Sequence, residues 1–396
     1  MMKTVDSYNF TGKRALIRVD FNVPLSANFT ISDDSRMTAA LPTIHKILND
    51  GGAVVLMSHL GRPKTGPEDK FSLRHLVKHL TEITEKEVVF SDDCISAEAV
   101  DTSKGLAMGK IHLLENLRFY KEEEAGDVDF AKKLAAHGDI YVNDAFGTAH
   151  RAHASTAIVA DYFTDKCFGY LMAKEVANAA KLMKNPERPF TAIVGGAKVS
   201  DKILIIENLL SIADNIIIGG GMAYTFKVAQ GGTIGNSLFE ADRVETCKEI
   251  LEKAAKNDVK IYLPEDSVCA DAFSNDANTK VCNSGAIADG WMGLDIGPKA
   301  AEVFREVLLD SETILWNGPM GVFEMSKFEN GTKSVAQAVA DATVSGAFSL
   351  IGGGDSSAAV KKFGFTEQVS YVSTGGGALL EYFEGKELPG IAAIEA

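Results

Sequence analysis

Two kinds of anion-binding residue are segregated along this chain. All eight histidines and seven of the ten arginines lie before residue 154, whereas 25 of the 36 glycines follow residue 190 and every Gly-Gly-Gly triplet follows residue 218. Arginine and histidine bind compact anions through their side chains, whereas consecutive glycines let backbone N–H groups close around phosphates. The pattern predicts two anion-binding halves of different chemistry, with two phosphorylated substrates meeting between two lobes.

An apolar run near the N-terminus ends in alternating polar residues, within the stretch RVDFNVP (18–24). Alternation along a strand places Arg18, Asp20 and Asn22 on one face. There the carboxylate and the amide could hydrogen-bond a hydroxyl or a carboxylate of a ligand. The alternative is a strand end whose polar residues cap neighbouring loops.

The second apolar run ends as SHLGRP (58–63). Gly61 permits a tight turn there and the following proline stiffens it, so His59 and Arg62 could be directed at one anion. A solvated loop with a surface ion pair is the alternative that this motif leaves open.

Three further arginines have neighbours that suggest a binding role. Arg118 follows the third run, and Arg151 follows the fourth, between His150 and His153. Two histidines that flank an arginine after a strand are hard to explain by packing. Arg36 could belong to the same site, or it could pair with the aspartates that precede it.

A strand, a glycine turn and two lysines open the second half, in GGAKVSDK (195–202). The helix expected over 203–210 would have Ser200 as its N-cap. A helix N-terminus with Lys198 and Lys202 beside it favours anion binding through the backbone dipole and the added charge. The alternative is an ordinary strand–helix turn with exposed lysines.

The glycine triplets at 219–221, 352–354 and 375–377 all follow apolar runs. They could form a flat slot for a purine or let the backbone approach phosphate, or they could serve tight helix–sheet packing. Asp355 follows the second triplet and could bind a metal that bridges phosphates, or act only as an N-cap. Glu324 could accept hydrogen bonds from a ribose.

Short apolar runs alternate with helix-like stretches and must position these residues. The runs cover residues 16–21, 53–58, 111–116, 139–144, 190–195, 215–220, 260–266, 313–318, 348–353 and 369–374. This alternation predicts an α/β fold with parallel sheets covered on both faces. Nearly every run ends in a polar or glycine-rich loop, and open α/β sheets bind ligands at the carboxyl ends of their strands.

The stretch 171–190 is the expected domain boundary. Its first part is helix-like, and Asn185-Pro186 with Pro189 should end the helix. We therefore expect one domain before this stretch and another after it, with the helix as a candidate hinge. A chain of 396 residues is long enough for two independent cores.

Composition narrows the functional classes. A net charge of −14 argues against a general nucleic-acid or membrane binder, and we find no signal peptide and no transmembrane run. Five scattered cysteines without a CxxC pair favour reduced thiols, a cytoplasmic location and no zinc site.

Eight motifs, taken in order, resemble those of the phosphoglycerate kinase family. They are RVDFNVP, SHLGRP, LLENLRFY, NDAFGTAHRAH, GGAKVSDK, WNGPMGVFE, GGGDS and STGGGA. The resemblance spans almost the whole chain and implies two doubly wound, Rossmann-like parallel-sheet lobes joined by a hinge helix. The implied domains are residues 1–172 for phosphoglycerate, 173–187 for the hinge and 188–386 for the nucleotide, with a tail (387–396) returning to the N-terminal lobe.

The resemblance also implies roles for individual residues. The phosphoglycerate set is Asp20, Asn22, Arg36, His59, Arg62, Arg118, His150 and Arg151. The nucleotide set is Lys198, Lys202, Gly219, Gly220, Gly293, Glu324, Gly353, Gly354, Asp355 and Ser356, with Asp355 towards Mg²⁺. The catalytic set is Arg36, Lys198, Gly354 and Gly377.

The implied reaction is reversible transfer of the acyl phosphate of 1,3-bisphosphoglycerate to ADP by a monomeric enzyme that closes around both substrates. Two other classes compete with it. A dinucleotide-dependent oxidoreductase should carry a GxGxxG fingerprint, which is missing, as are the Walker A and protein-kinase motifs. A non-catalytic nucleotide sensor on the same fold is opposed only by the intact Lys198, Arg36 and Asp355.

Overall fold

The computed structural model describes residues 2–396. Its internal contacts divide the chain into two compact units. Unit 1 comprises Met1–Ala177 together with Glu387–Ala396, and unit 2 comprises Asn178–Lys386. No helix among residues 2–396 has both the length and the apolar character that a bilayer crossing requires.

Unit 1 contains a six-stranded parallel sheet. Its strands are β1 (Arg14–Val19), β2 (Ala53–Met57), β3 (Val88–Ser91), β4 (Ile111–Leu114), β5 (Ile140–Asp144) and β6 (Lys166–Phe168). They lie in the order β3-β4-β2-β1-β5-β6. The four inner strands are buried almost throughout, as expected for apolar runs covered on both faces. Their register places Arg18 beside Met57 and Asn143, so the three strands end at one edge of the sheet.

Helices flank this sheet. They are α1 (Ser35–Asn49), α2 (Val77–Thr84), α3 (Ala97–Lys104), α4 (Lys121–Ala125), α5 (Val128–Ala135) and α6 (Tyr170–Lys184). The last of these contains the division between the two units. It begins where a carboxylate oxygen of buried Asp144 accepts the Met172 N–H at 3.0 Å. It ends at Lys184, directly before Asn185-Pro186, which confirms the predicted stop.

Unit 2 contains a second parallel sheet of six strands and two small sheets. Its strands are β7 (Phe190–Val194), β8 (Asn215–Ile218), β9 (Thr233–Ile234), β10 (Lys260–Tyr262), β11 (Asp266–Ala270), β12 (Thr279–Asn283), β13 (Ala286–Ile287), β14 (Met292–Ile296), β15 (Thr313–Asn317), β16 (Phe348–Gly352) and β17 (Tyr371–Val372). The large sheet has the order β10-β8-β7-β15-β16-β17. The two doubly wound parallel sheets that the sequence predicted are confirmed.

Seven helices complete unit 2, and one more closes the chain. They are α7 (Ile203–Leu209), α8 (Met222–Ala229), α9 (Val244–Lys256), α10 (Pro298–Leu309), α11 (Asn330–Val344), α12 (Gly354–Lys362), α13 (Gly377–Phe383) and finally α14 (Pro389–Glu395). The C-terminal helix α14 belongs to unit 1, where the Gly390 N–H donates to the Ala149 carbonyl at 2.8 Å. The Gly390 carbonyl in turn accepts from the Asn143 amide at 3.1 Å.

Candidate functional site

The basic residues of unit 1 meet at the carboxyl ends of its inner strands. Arg18 is the fifth residue of β1, His59 follows β2, Arg118 follows β4 and Arg151 follows β5. These four strands are neighbours in the sheet and all are parallel. Side chains that are far apart in sequence are therefore gathered at one edge, where α/β sheets bind ligands.

Asp20 holds Arg36 at this edge. The Arg36 guanidinium donates to a carboxylate oxygen of Asp20 at 2.8 Å and to the Asn22 carbonyl at 3.3 Å. The Asn22 side-chain oxygen accepts the Gly61 N–H at 2.8 Å. The sequence left open whether Arg36 pairs with the aspartates that precede it. The carboxylate that it pairs with is instead that of Asp20.

The imidazole of His59 is surrounded by positive charge. Its ring is 4% exposed, and Arg18 lies 3.3 Å from its Nδ1 atom. Burial lowers the pKa of His59 well below its ordinary value, and Arg18, Arg118, Arg36 and His153 lower it further. The ring is therefore neutral at physiological pH, and the basic groups around it form a field that suits an anion.

Arg118 is positioned by the turn between β2 and α2. Its guanidinium donates to the Gly61 carbonyl at 3.0 Å and lies 3.3 Å from a carboxylate oxygen of Glu124. Burial lowers the pKa of Arg118, and Arg18 and Arg151 act in the same direction. Gly61 has a φ of +62°, and a Cβ there would lie 2.4 Å from the Phe71 ring, so this turn requires glycine.

Arg62 and Arg151 are the exposed members of the cluster. Within residues 2–396, neither guanidinium has a hydrogen bond or an ion pair to the protein. His150, which precedes Arg151, is half-buried. Two arginines that keep their donors free beside a field of other basic groups are suited to bind a phosphate.

Sequence reasoning missed two residues beneath this cluster. Glu123 on α4 and Ser155 are both fully buried, and the Ser155 hydroxyl donates to Glu123 at 2.6 Å. Glu123 lies inside the run Glu122–Glu124, which has the composition of a solvated helix face. Nothing in that run distinguishes the one carboxylate that folding buries.

Unit 2 has a cavity of about 470 Å³ between its glycine-rich loops and the antiparallel sheet β12-β11-β14. Four of the predicted nucleotide residues line it, namely Gly220, Gly293, Glu324 and Asp355. Its walls are largely apolar, and the residues that form them include Leu238, Phe273, Met292, Leu294 and Val322. An apolar slot with a few polar groups at its rim suits a planar base joined to a polar sugar.

The absence of a side chain at Gly293 lets Tyr224, in the wall of this cavity, pack closely against β14. A Cβ there would lie 1.8 Å from the Tyr224 hydroxyl oxygen, and the Gly293 N–H donates to Ser237 at 2.9 Å. Asp295, two residues later, is 2% exposed and accepts backbone N–H groups of Ile296 and Gly331 at 2.9 and 2.7 Å. Burial raises the pKa of Asp295 to about 7, and no motif in the sequence pointed to this residue.

The first glycine triplet packs backbone against backbone. A Cβ at Gly220 would lie 2.5 Å from the Gly196 carbonyl oxygen, and one at Gly219 would lie 2.3 Å from the Met320 sulfur. The Gly220 N–H donates to the Met320 carbonyl at 3.0 Å. Close packing therefore explains Gly219, whereas Gly220 both packs closely and borders the cavity.

The two lysines before α7 differ in their surroundings. Lys198 is exposed, with no hydrogen bond or ion pair to any residue of 2–396, whereas the Lys202 ammonium donates to the side chain of Asn317. Burial lowers the pKa of Lys202, while Asp201, Asp355 and Glu384 oppose that change. Neither lysine lines the cavity itself.

The predicted N-cap role of Ser200 is wrong. Lys202 is the residue that precedes α7, and it makes no side-chain cap hydrogen bond. The Ser200 hydroxyl instead donates to Glu240 at 2.6 Å, and the Ser200 N–H donates to the same carboxylate at 3.0 Å. A carboxylate forty positions along the chain provides a stronger partner than the local backbone.

The loop at the start of α12 presents backbone donors and one carboxylate. Gly353 has a φ of +92°, and a Cβ at Gly354 would meet nothing within 4 Å. Asp355 is exposed, whereas Ser356 is buried and its hydroxyl accepts the Gly318 N–H at 2.6 Å. The loop is therefore open at Gly354 and Asp355, and Ser356 holds it in place.

The third triplet has a related form. Gly376 has a φ of +49° and a ψ of −114°, and exposed Gly377 begins α13. A Cβ at Gly376 would meet nothing within 4 Å. This triplet is therefore a sharp turn with open backbone, in contrast to the closely packed first triplet.

Comparisons with known proteins agree with one another. The family model described as phosphoglycerate kinase matches residues 5–386. The phosphoglycerate kinase of Porphyromonas gingivalis is 54% identical over 417 residues, covering 99% of this chain and all of that protein. The enzyme of Chloroherpeton thalassium is 54% identical over 392 residues, covering 99% and 98% of the two chains.

Solved structures give the same result. The phosphoglycerate kinase structure from Coxiella burnetii superimposes with a TM-score of 0.91 at 42% identity, covering 100% of this chain and 99% of that one. The phosphoglycerate kinase structure from Pyrococcus horikoshii superimposes with a TM-score of 0.84 at 33% identity, covering 100% of this chain and 98% of that one.

Proposed function

Because this chain belongs to the phosphoglycerate kinase family, we propose that its basic cluster binds phosphoglycerate and its glycine-rich cavity binds the nucleotide. The protein is a kinase that transfers the acyl phosphate of 1,3-bisphosphoglycerate reversibly to ADP, giving 3-phosphoglycerate and ATP. The observation that supports the assignment of sites is the contrast between them. Unit 1 gathers guanidinium groups around His59, whereas unit 2 offers an apolar slot rimmed by glycine backbone.

In unit 1, we assign substrate binding to two groups of residues. Arg62, Arg118 and Arg151 bind the 3-phosphate, because exposed or edge-facing guanidinium groups pair with phosphate in a bidentate manner. Asp20 and Asn22 bind the hydroxyl and carboxyl end, and Asp20 fixes Arg36 at 2.8 Å beside it. Buried His59 and half-buried His150 contribute further hydrogen bonds to the substrate.

In unit 2, Glu324 accepts hydrogen bonds from the ribose while the base lies between the apolar walls of the cavity. Open backbone N–H groups at Gly354 and Gly377 face the phosphates, with Gly353 and Ser356 shaping the first loop. Lys202 and the exposed Lys198 supply positive charge near this loop. Gly219 does not contact the nucleotide in this scheme, and its role is to let the first glycine triplet pack against Met320.

The residues present fit a magnesium ion bound together with the nucleotide. Mg²⁺ prefers oxygen ligands and usually takes one or two carboxylates, several waters and substrate phosphates. Asp355 offers one exposed carboxylate, and no group of three His, Cys, Asp or Glu residues within 2–396 could hold a metal alone. When bound, the ion supplies charge neutralisation at the phosphates, and Asp355 is the residue that would hold it.

The transfer needs no covalent enzyme intermediate. A carboxylate is already a good leaving group, so the enzyme must chiefly align the two substrates and stabilise the charge on the travelling phosphoryl group. We assign that stabilisation to Arg36 and Lys198, helped by the N–H groups of Gly354 and Gly377. Removal of one such donor typically lowers turnover by about 10²–10³.

Turnover with 3-phosphoglycerate and MgATP tests this assignment. Lys198→Ala should lower kcat by about 10²–10³ while the fold remains that of the parent. Lys248→Ala, on α9, is a control that removes an exposed ammonium group paired with Glu245 of the same helix and outside the cavity lining. A Lys198→Ala enzyme as active as this control would refute the catalytic role.

Direct transfer also requires the two substrates to approach each other. We propose that the two units close during catalysis and that residues 173–187 serve as the hinge, which excludes water from the acyl phosphate. Small-angle scattering should show a smaller radius of gyration when both substrates are bound. Identical profiles with and without them would refute closure.

We further propose a cytoplasmic monomer that binds neither nucleic acid nor membranes. All five cysteines are free thiols, and the net charge of −14 opposes binding to polyanions. Sedimentation at micromolar concentration should give the mass of one chain. A dimer mass would refute the monomer.

A further inference from the structure

A chain of hydrogen bonds connects buried Glu123 to His59 through Ser155 and Arg18. The Ser155 hydroxyl donates to one oxygen of Glu123 at 2.6 Å, and the Ser155 N–H donates to the other at 2.9 Å. Arg18 Nε donates to the Ser155 oxygen at 2.8 Å. Arg18 Nη2 lies 3.3 Å from His59 Nδ1. Three of these residues are at most 1% exposed and His59 is 4% exposed.

The direction of each bond follows from chemistry. Both oxygens of Glu123 accept a hydrogen bond from Ser155, and burial raises the pKa of this carboxyl while Arg18 and Ser155 lower it. The Ser155 proton is committed to Glu123, so its oxygen is free to accept from Arg18. A guanidinium group carries no acceptor, so Arg18 can only donate to His59. His59 Nδ1 must therefore be unprotonated, and the ring proton lies on Nε2.

The alternative protonation states conflict with this arrangement. A proton on Nδ1 would place two donors 3.3 Å apart, facing each other. The nearest carboxylate oxygen, from Asp20, is 3.8 Å from Nδ1, which is too long for a hydrogen bond. Burial and the positive charges of Arg18, Arg118 and Arg36, with His153, also lower the pKa of the ring. Asp20 therefore lies too far from Nδ1 to hold a proton there.

The Nε2–H group is left available for a ligand. Among residues 2–396, no protein atom pairs with His59 Nε2, whereas Nδ1 is occupied by Arg18. The ring is held in one orientation by its surroundings and offers a single neutral donor. Such a donor can bind a substrate oxygen without adding another charge to a crowded basic site.

We propose that Glu123 and Ser155 are positioning residues, which lock Arg18 so that His59 presents its Nε2–H group to an oxygen of the phosphoglycerate substrate. This inference rests on the substrate-binding role proposed above for His59. Neither residue touches the substrate in this scheme. The alternative is that both residues only anchor the loop after β5 to α4, in which case the tautomer of His59 does not depend on them.

The tautomer can be measured directly in the parent protein. Long-range ¹H–¹⁵N correlation spectra of protein with ¹⁵N-labelled histidine distinguish a protonated ring nitrogen from an unprotonated one, and a His59→Gln sample assigns the signal. We expect His59 to be protonated on Nε2 alone, without any substrate. A proton on Nδ1 would overturn the inference and would leave the assignment of the two substrate sites untouched.

Two variants then test whether the chain sets this state. Ser155→Ala removes the bridging hydroxyl, and Glu123→Gln keeps the shape but leaves one acceptor oxygen instead of two. Both should give a mixture of His59 tautomers and raise the KM for 3-phosphoglycerate about tenfold or more, with a much smaller change in kcat. Ser103→Ala is the matched control, because Ser103 is also buried in unit 1 and its hydroxyl also contacts histidines, His112 and His137.

The outcomes distinguish the positioning role of Glu123 and Ser155 from the substrate contact of His59. Ser155→Ala with the parental tautomer and the parental KM, like Ser103→Ala, would overturn the positioning role. A changed tautomer with an unchanged KM would also overturn it, and would in addition refute the substrate contact of His59. His59→Gln tests that contact independently, because the KM for 3-phosphoglycerate should rise if the contact exists.

Discussion

A second buried histidine network in unit 1 should make the protein sensitive to acid. His137 Nε2 lies 3.1 Å from the Cys94 carbonyl, which can only accept, so His137 Nδ1 must accept the Ser103 proton at 2.6 Å. The Ser103 oxygen then accepts from His112 Nδ1 at 2.8 Å, and His112 Nε2 accepts from Ser91 at 2.8 Å. Every position in this chain is filled while both rings are neutral. A further proton on either ring would turn an acceptor into a donor, and the serine hydroxyl beside it would have to give up the hydrogen bond that it donates.

The size of the effect follows from the pKa values. Burial lowers the pKa of both His112 and His137 from 6.5 to about 4. Between these values the unfolded chain binds protons that the folded protein excludes, so the free energy of unfolding falls as the pH falls. The pH-dependent part of the free energy of unfolding is fully present above about pH 6.5. It amounts to about 3 kcal/mol per ring, since each pKa unit is worth about 1.4 kcal/mol. At about pH 5, roughly 2 kcal/mol per ring should already be lost.

Urea unfolding measures this loss, and far-ultraviolet circular dichroism is the suitable signal. Tryptophan fluorescence would not report on unit 1, because both tryptophans lie in unit 2. His137→Gln should reduce the difference in stability between about pH 8 and about pH 5 by roughly 2 kcal/mol. Leu114→Ala, on the same strand as His112, should destabilise unit 1 by about 2–5 kcal/mol but keep the parental pH dependence. An identical pH dependence in the parent and His137→Gln would refute the reasoning.

Two further predictions concern unit 2. Gly293→Ala should raise the KM for ATP about tenfold with little effect on the KM for 3-phosphoglycerate, because its Cβ would lie 1.8 Å from the Tyr224 hydroxyl and force the cavity wall to move. Steady-state kinetics with each substrate varied in turn measures this, and a parental KM for ATP would show that Gly293 does not border the nucleotide. Asp355→Asn should raise the Mg²⁺ concentration needed for half-maximal activity, because the amide lacks the negative charge that binds the ion. Unchanged Mg²⁺ dependence would remove Asp355 from the metal site.

The two main sheets could be predicted from the sequence because their strands are continuous apolar runs. All ten predicted runs overlap strands of the two parallel sheets. Two of the strands that were missed lie at sheet edges and carry little burial signal. β3 is half-buried throughout, and β12 is exposed at four of its five residues. Such edge strands form because neighbouring strands offer hydrogen bonds, which a periodic pattern does not show.

The site could be predicted only in part. Arg118 and His59 stand in polar loops directly after apolar runs, which the topology of parallel sheets makes informative. Glu123 and Asp295 gave no such indication, because their burial depends on tertiary contacts with Ser155 and Gly331. Ser200 was wrongly predicted to be an N-cap. Its hydroxyl binds the distant Glu240 instead of the local helix backbone.

The central claim is that one chain binds the acid and the nucleotide through separate sets of residues, and a crossed comparison of KM values tests it most directly. Arg151→Ala should raise the KM for 3-phosphoglycerate by about 10–100-fold and leave that for ATP within about twofold of the parent. Glu324→Gln should show the reverse pattern. If Arg151→Ala instead weakens ATP binding, or if both variants raise both KM values equally, the claim that separate residues bind the acid and the nucleotide is contradicted.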